Sequence, residues 1–171
     1  DFSRLAGRGW EVVRRPTGGR AILHTDELTY SVTASAEDPV TTGGVLQSYN
    51  RMARALLRAL QGLGLPVEIE ERAAAATEGP INPVCFEVPS SYEITVAGRK
   101  LVGSAQARRR EGVLQHGSLP LTGDLSRIRQ ALVFPDEAGR AAAAARLLQR
   151  AATVESVLGR AVEWETAAQA F

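Results

Sequence analysis

The hydrophobic positions of this 171-residue chain change their spacing along its length, and each spacing predicts a type of secondary structure. Residues 28–33 are rich in β-branched and aromatic residues, which predicts a β-strand. Further strands are predicted over residues 10–15, 21–24, 67–70, 92–96, 100–108 and 113–121. The tripeptide Ala-Gly-Arg at 97–99 predicts a tight hairpin turn, and residues 109–112 predict the next turn.

Other segments show the spacing of helices. Apolar residues recur at helical spacing over residues 46–60, and Gly62 and Gly64 follow as a helix stop. After Gly123 the pattern is helical. It predicts helices over residues 125–132 and 138–152, a short capped helix that follows Thr153 and ends at Gly159, and another helix from residue 164 onward. Strands followed by helices predict one α+β domain over residues 1–171, with a mixed β-sheet flanked by helices and 124–171 as its helical C-terminal part.

Composition narrows the classes of function. The net charge of +1 argues against a general nucleic-acid-binding protein, and no apolar stretch approaches the about 18 residues of a membrane span. One cysteine excludes an internal disulfide and multi-cysteine zinc sites, and two histidines exclude a three-histidine metal site, so no metal site is expected. A lone thiol without a secretion signal favours a cytoplasmic location.

The segment RRPTGGRAILH at 14–24 is the first candidate binding element. Its two glycines, Gly18 and Gly19, follow a predicted strand and permit close approach of a ligand to the backbone. Arg14 and Arg15 can pair with a phosphate or carboxylate, and His24 ends the segment. The alternative interpretation is a glycine turn with solvated arginines.

Three further segments carry candidate chemistry. Cys85 stands between two prolines in NPVCFEVPS, which favours partial exposure, although a lone cysteine is usually a buried structural thiol. Lys100 follows the tight turn, where the alternative is a surface lysine. Small residues on the next strand and a glycine within LQHGS suggest close backbone approach to a ligand. The candidates here are Gly103, Ser104, Ala105, His116 and Gly117.

Taken in order, RRPTGGRAILHTDELTYSV and GRKLVGSAQ…LQHGS resemble the central motifs of the lipoate–protein ligase A family. The resemblance covers residues 12–121 strongly and the helical tail weakly. It implies a biotin/lipoate protein ligase-like catalytic domain that lacks some N-terminal strands and its C-terminal end. VCFEVPSSYE together with PTGGR is similar to the cysteine-dependent octanoyltransferase branch, because ligases typically have glycine in place of Arg20 and lack Cys85.

The resemblance implies a specific reaction. An octanoyl group moves from acyl carrier protein to a lysine of a lipoyl domain or of the glycine cleavage H protein, through a thioester on Cys85, with Lys100 lowering the thiol pKa. The residues that would bind substrate are Arg14, Arg15, Gly18, Gly19, His24, Gly103, Ser104, Ala105, His116 and Gly117. No cofactor is required. Arg108, Arg109 and Arg110 cluster at a predicted turn; the hypothesis is that this turn, together with Arg20, steers the acidic carrier protein toward Cys85, and the alternative is a solvated basic turn.

Three alternatives stay open at this point. An ATP-dependent lipoate–protein ligase would use Arg14, the glycine loop and Lys100 to hold an acyl-adenylate, and it would need ATP and Mg²⁺. An amidotransferase would move lipoyl or octanoyl groups between lipoyl proteins. An inactive relative would only bind lipoyl domains. A serine hydrolase is disfavoured because the sequence contains no G-x-S-x-G.

Overall fold

A computed structural model of the chain describes residues 2–70 and 93–171. The strands in these ranges are β1 (Glu27–Ala34), β2 (Glu68–Glu70), β3 (Glu93–Val96), β4 (Arg99–Arg108) and β5 (Val113–Pro120). The helices are α1 (Phe2–Ala6), α2 (Val45–Gly62), a 3₁₀ helix (Leu125–Gln130), α3 (Glu137–Arg150), α4 (Val154–Leu158) and α5 (Trp164–Ala170). None of the described helices is long and apolar enough to span a membrane.

The five described strands form one sheet in the order β1-β5-β4-β3-β2, flanked by helices, which confirms the α+β prediction. Every neighbouring pair is antiparallel, whereas a mixed sheet was expected. In the described ranges, parallel pairing is limited to one isolated bridge between Lys100 and Ala151. For the β3–β4 and β4–β5 pairs the reason is connection length, because these strands follow one another through short turns, which can join only antiparallel strands. At the first turn Ala97 and Gly98 both have positive φ, as a two-residue hairpin turn requires.

Two predicted strands do not form. Residues 10–15 lie outside every described strand, and Val12 and Val13 are largely exposed. A strand needs a neighbour to complete its backbone hydrogen bonds, and propensity alone does not supply one. Residues 21–24 contribute only a single bridge residue, and Ile22 and Leu23 instead pack against the 3₁₀ helix and α3. The short helix α1 was not predicted.

The main core lies between one face of the sheet and helices α2, α4 and α5. Leu56 and Leu60 of α2 belong to it, together with buried residues of β3, β4 and β5: Ile94, Val96, Leu101, Val102 and Leu119. The predicted helix caps are also present. Asp124 accepts a hydrogen bond from the backbone of Ser126, and Gly159 ends α4 in the left-handed region. This core fixes α2 against β4.

A polar layer lies between α2 and the sheet. Arg108 of β4 donates to Ser48 of α2 at 2.9 Å, to Gln106 at 3.3 Å and to the Thr41 carbonyl at 2.8 Å. Ser48 in turn donates to Gln106 at 3.1 Å. Because charged donors bind carbonyl oxygens strongly, Arg108 anchors both the loop before α2 and the first turn of that helix.

Tyr30 extends the polar layer to β1. Its hydroxyl lies 2.7 Å from Ser104 Oγ and 3.4 Å from Gln115 Nε2, which donates to it. Gln106 Nε2 donates to Gln115 at 3.0 Å and completes the connection to α2. Burial raises the pKa of Tyr30 although its hydrogen bonds from Ser104 and Gln115 act to lower it. The phenol therefore stays protonated and can donate within the layer.

We predict that Gly117→Ala destabilises the fold by about 1–3 kcal/mol, the usual range for overpacking. A Cβ at this position would collide with the Gly103 carbonyl and would lie 2.7 Å from Tyr30 Cε1. Gly62→Ala is the matched control, because nothing lies within 4 Å of its added Cβ and alanine is favourable in a helix. Urea unfolding measures both variants, and equal stabilities would contradict the close packing of β4 on β5.

Candidate active site

The RRPTGG segment folds back on itself through Arg15. The guanidinium donates to Thr17 Oγ1 at 3.1 Å and to the Arg20 carbonyl at 2.8 Å, and the Gly18 amide closes a turn on the Arg15 carbonyl at 3.2 Å. Gly18 and Gly19 have φ values of +63° and +89°, which glycine adopts without steric cost. The two glycines thus allow the reversal that aims Arg15 back along the loop.

One hydrogen bond joins this loop to the sheet. Thr17 Oγ1 lies 2.8 Å from His116 Nε2 on β5. Between the loop and the sheet is a cleft, and its lining includes one apolar side chain of the loop, Ile22, and one buried hydroxyl residue, Ser118. The rest of the lining consists of Arg15, His24, Gly103, Ser104, Ala105, His116 and Gly117.

All seven of those residues were predicted from the sequence to bind substrate, so the fold brings together seven of the ten candidates. The other three are Arg14, Gly18 and Gly19, which are exposed and do not line the cleft. The glycines act on the cleft indirectly, by shaping the loop that carries Arg15. Cys85 lies outside the described residues. The binding roles of all ten residues stay predictions.

Lys100 reaches the cleft face of the sheet through a register shift. Ile94 pairs with Val102, but its neighbour Thr95 pairs with Lys100, so β4 contains one extra residue at this point. Paired residues of antiparallel strands share a face, and Ile94 and Thr95 face opposite ways. Lys100 and Val102 therefore also face opposite ways, although even spacing would normally put them together. The bulge turns Lys100 to the face that carries Gly103.

The Lys100 side chain is buried, not a surface lysine as the alternative interpretation held. Its Nζ donates to Glu93 Oε1 at 2.6 Å, and the two side chains are only 6% and 8% exposed. The backbone of Lys100 is also tied, since its carbonyl accepts from the Ala152 amide at 3.0 Å. Ionised groups are buried at acceptable cost only when they are paired, and the Glu93 carboxylate gives the buried Lys100 ammonium such a partner.

His24 sits at the edge of the cleft and is held by a carboxylate. Its Nδ1 contacts Glu27 Oε1, and Thr29 Oγ1 donates to the same oxygen at 2.8 Å. The Glu27 side chain is 8% exposed, whereas that of His24 is 47% exposed. A carboxylate on one ring nitrogen fixes the orientation of an imidazole and directs the other nitrogen elsewhere.

The environment of His116 disfavours its charged form. Burial lowers the pKa of His116 below the usual 6.5, and the charges of Arg15 and His24 act in the same direction. The ring is therefore neutral at physiological pH. Since the folded pKa lies below the unfolded one, the contribution of His116 to stability is present above pH 6.5 and is lost as the pH falls through the folded pKa.

Sequence reasoning missed Glu93 and Ser118. A signal for Glu93 existed, because a carboxylate interrupts the apolar strand YEITV seven residues before Lys100. Ser118 lies two residues after His116 on β5 and so shares its face. The expectation for the arginine cluster needs correction as well. Arg108 is part of the polar layer behind the sheet, and only Arg109 and Arg110 are exposed at the turn.

The chain matches the lipoyl protein ligase A/B catalytic domain over residues 1–171. It is 47% identical over 163 residues to octanoyltransferase LipM of Moorella thermoacetica, a match that covers 95% of this chain and 60% of that protein. It is 39% identical over 174 residues to octanoyltransferase LipM of Kyrpidia tusciae, covering 100% of this chain and 64% of that protein. The chain thus spans about three fifths of the length of these relatives.

Solved structures share the fold. A bipartite lipoate protein ligase from Thermoplasma acidophilum superposes with a TM-score of 0.75 at 24% identity, over 99% of this chain and 58% of that one. A lipoate-protein ligase A bound with ATP gives a TM-score of 0.68 at 23% identity, over 99% and 59% of the two chains. At this level of identity the similarity supports the fold alone.

We predict that Glu93→Ala destabilises the protein by about 3–5 kcal/mol, because it removes the carboxylate that lies 2.6 Å from the buried Lys100 ammonium. The exposed Glu68 on neighbouring β2 is the matched control, and Glu68→Ala should change stability by less than about 0.5 kcal/mol. Denaturant unfolding measures both. Replacing both members of the pair, Glu93→Leu together with Lys100→Met, should restore most of the lost free energy of unfolding. Equal effects of Glu93→Ala and Glu68→Ala would contradict a buried pair.

We predict that the His116 imidazole titrates below pH 6.5, and that Arg15→Gln raises its pKa because one of the opposing charges is removed. The rise should be partial, since burial is the larger cause. Arg14→Gln is the control, because Arg14 is exposed and does not line the cleft. NMR titration of the ring protons follows the change, and a His116 pKa above 6.5 in the unmodified protein would contradict the inferred environment.

Proposed function

The chain belongs to the lipoyl protein ligase A/B catalytic domain family, and we propose that it is the catalytic domain of an octanoyltransferase that acts in protein lipoylation. The single observation that carries the proposal is the match to the octanoyltransferases of Moorella thermoacetica and Kyrpidia tusciae over nearly the whole chain. The cleft supports it, because the family motifs quoted from the sequence converge there. Residues 1–171 act as one domain in this proposal.

The proposed reaction has two acyl-transfer steps. In the first, the Cys85 thiolate attacks the carbonyl carbon of the octanoyl thioester on acyl carrier protein, the new C–S bond forms, and the carrier thiolate leaves and takes a proton. In the second, the amine of the acceptor lysine attacks the acyl-Cys85 carbonyl, an amide forms, and the Cys85 thiolate is released. The amine proton passes to solvent or to a base in the cleft.

In this scheme the Lys100 ammonium stabilises the Cys85 thiolate electrostatically, and the Glu93 carboxylate shortens the distance over which the ammonium charge acts. The ammonium and the carboxylate are 2.6 Å apart, so to a distant group the pair looks nearly neutral. The field of such a pair falls faster with distance than that of an isolated charge. Lys100 therefore lowers the Cys85 pKa, or polarises the acyl carbonyl, only when these groups come within hydrogen-bonding distance of its Nζ.

The octanoyl chain occupies the cleft on the same face of the sheet. Gly103 and Ala105 leave room above β4, and the surface continues past Ala107 and Leu114 toward Pro16, which line the next hollow. From Gly103 to Ala107 the strand advances about 13 Å, enough for a medium-length acyl chain. Each methylene that is buried there contributes about 0.8 kcal/mol.

The partners follow from the reaction. The donor is octanoyl-acyl carrier protein, and the acceptor is a lipoyl domain or the glycine cleavage H protein. Arg109 and Arg110 are exposed at the β4–β5 turn, beside the hollow that continues the cleft, and suit an acidic carrier. In a thioester donor the acyl group is already activated, because cleavage of the thioester releases the free energy that amide formation requires. Neither ATP nor a metal therefore takes part in the proposed reaction. A free catalytic thiol fits a reducing cytoplasm.

We predict that the full-length enzyme becomes octanoylated on Cys85 when mixed with octanoyl-acyl carrier protein in the absence of ATP, visible as a single octanoyl adduct by intact mass. Cys85→Ser should abolish the adduct and reduce transfer at least about 10³-fold, because an unactivated hydroxyl is a much weaker nucleophile than a thiolate. Ser90→Ala, a change in the same segment, is the control. Transfer that requires ATP and survives Cys85→Ala would identify a ligase instead.

A further inference from the structure

Ser118 is a buried hydroxyl without a hydrogen-bond partner. Its side chain is 0% exposed, and its Oγ is the one buried side-chain polar atom in the described part of the chain that has no partner there. Buried hydroxyls in proteins are nearly always bonded, and exceptions require a physical explanation. The residue nevertheless lines the candidate cleft, together with His116 and Gly103.

Other buried serines of the same fold are satisfied. Ser48 accepts from Arg108 and donates to the Val45 carbonyl and to Gln106, and Ser126 donates to Asp124. The lack of a partner at Ser118 is therefore not a general feature of this fold. Leaving a buried hydroxyl unbonded destabilises the folded state, and alanine at this position would avoid the cost.

The neighbouring strand places no side chain over the Ser118 hydroxyl. On β4 its antiparallel partner is Gly103, which has no side chain to cover the hydroxyl. On β5, Ser118 lies two residues from His116 and so shares the cleft face. The bulge in β4 turns Lys100 to this face as well. A group that binds in the cleft beside His116 and Gly103 therefore lies next to the Ser118 side chain.

We propose that Ser118 Oγ–H donates a hydrogen bond to the acyl carbonyl oxygen of the substrate and stabilises the oxyanion during transfer. This inference rests on the proposed function. When the nucleophile bonds to the carbonyl carbon, the C=O electron pair moves to the oxygen, which accepts the Ser118 hydrogen bond more strongly. When the thiolate leaves, the pair returns to re-form C=O, and the serine keeps its proton throughout.

The test compares Ser118→Ala with Ser48→Ala in the full-length enzyme. Ser118→Ala should lower kcat for octanoyl transfer at least about tenfold with little change in KM, because a carbonyl hydrogen bond that strengthens in the transition state is lost. Its melting temperature should stay equal or rise. Ser48→Ala should show the reverse, with a lower melting temperature and unchanged kcat, because its hydroxyl is bonded on the opposite side of the sheet.

Two further measurements separate this inference from the proposed function. Isotope-edited infrared spectra of octanoyl-Cys85 should show the carbonyl stretch at higher frequency in Ser118→Ala, since a hydrogen bond lowers that frequency. Binding of octanoate, whose carboxylate oxygens stand in for the acyl carbonyl, should weaken in Ser118→Ala. This binding is measurable by calorimetry even if the enzyme proves not to be a transferase.

Three outcomes would overturn the assignment of Ser118. Unchanged kcat in Ser118→Ala while transfer still depends on Cys85 leaves the proposed function standing and removes this residue from it. A melting temperature that falls as far as that of Ser48→Ala means the hydroxyl has a structural partner. If no variant transfers octanoyl groups, the proposed function fails, and unchanged octanoate affinity then refutes the contact as well.

Discussion

The extra residue in β4 determines which side chains of this sheet can act together. With unbroken alternation Lys100 would lie on the face of Val102, against the apolar core under α2, where no described carboxylate is available to it. The bulge at the pairing of Ile94 and Thr95 instead puts Lys100 beside Glu93, on the face of Gly103. A buried ammonium is tolerated only with such a partner, so the register and the ion pair depend on each other.

The two faces of the sheet therefore have separate tasks. One face holds the core and the polar layer, in which Tyr49 also donates to the Ser104 carbonyl at 3.3 Å and fixes β4 against α2. The other face carries Gly103, Ala105, His116 and Ser118 and is covered by the RRPTGG loop, whereas Ser104 turns its hydroxyl toward Tyr30 in the polar layer. Because the polar layer is hydrogen-bonded, it holds β4 and β5 rigidly, and groups on the cleft face keep their positions.

Arg15 and Thr17 help to position the loop that covers the cleft. Arg15 bonds within the loop, while the Thr17–His116 contact connects it to β5. Burial and the charge of Arg15 lower the pKa of His116, so its neutral Nε2 can accept a hydrogen bond from the Thr17 hydroxyl. Ile22 and Leu23 add an apolar contact, because they pack against the 3₁₀ helix and α3.

Local sequence determined most of the secondary structure and the identity of the candidate residues. Some features form through residues that are close together in the sequence. These are the hairpin turn at Ala97 and Gly98, the cap at Asp124 and the helical spacing of α2. The glycines and arginines of RRPTGG, with His116 and Gly117, could likewise be read from the order of motifs. These features depend on contacts within a few residues, which the sequence displays directly.

Tertiary structure decided what depends on distant pairings. Residues 10–15 have strand propensity but no neighbouring strand, so the predicted strand does not form. The β1–β5 pairing joins strands that are far apart in the sequence, and the Glu93–Lys100 pair exists because β4 shifts by one residue against β3. The unbonded hydroxyl of Ser118 also has no local signal, since a serine in a strand is ordinarily exposed or bonded. Register, burial and the absence of a hydrogen-bond partner within the described residues are properties of how strands meet, and no single segment of sequence encodes them.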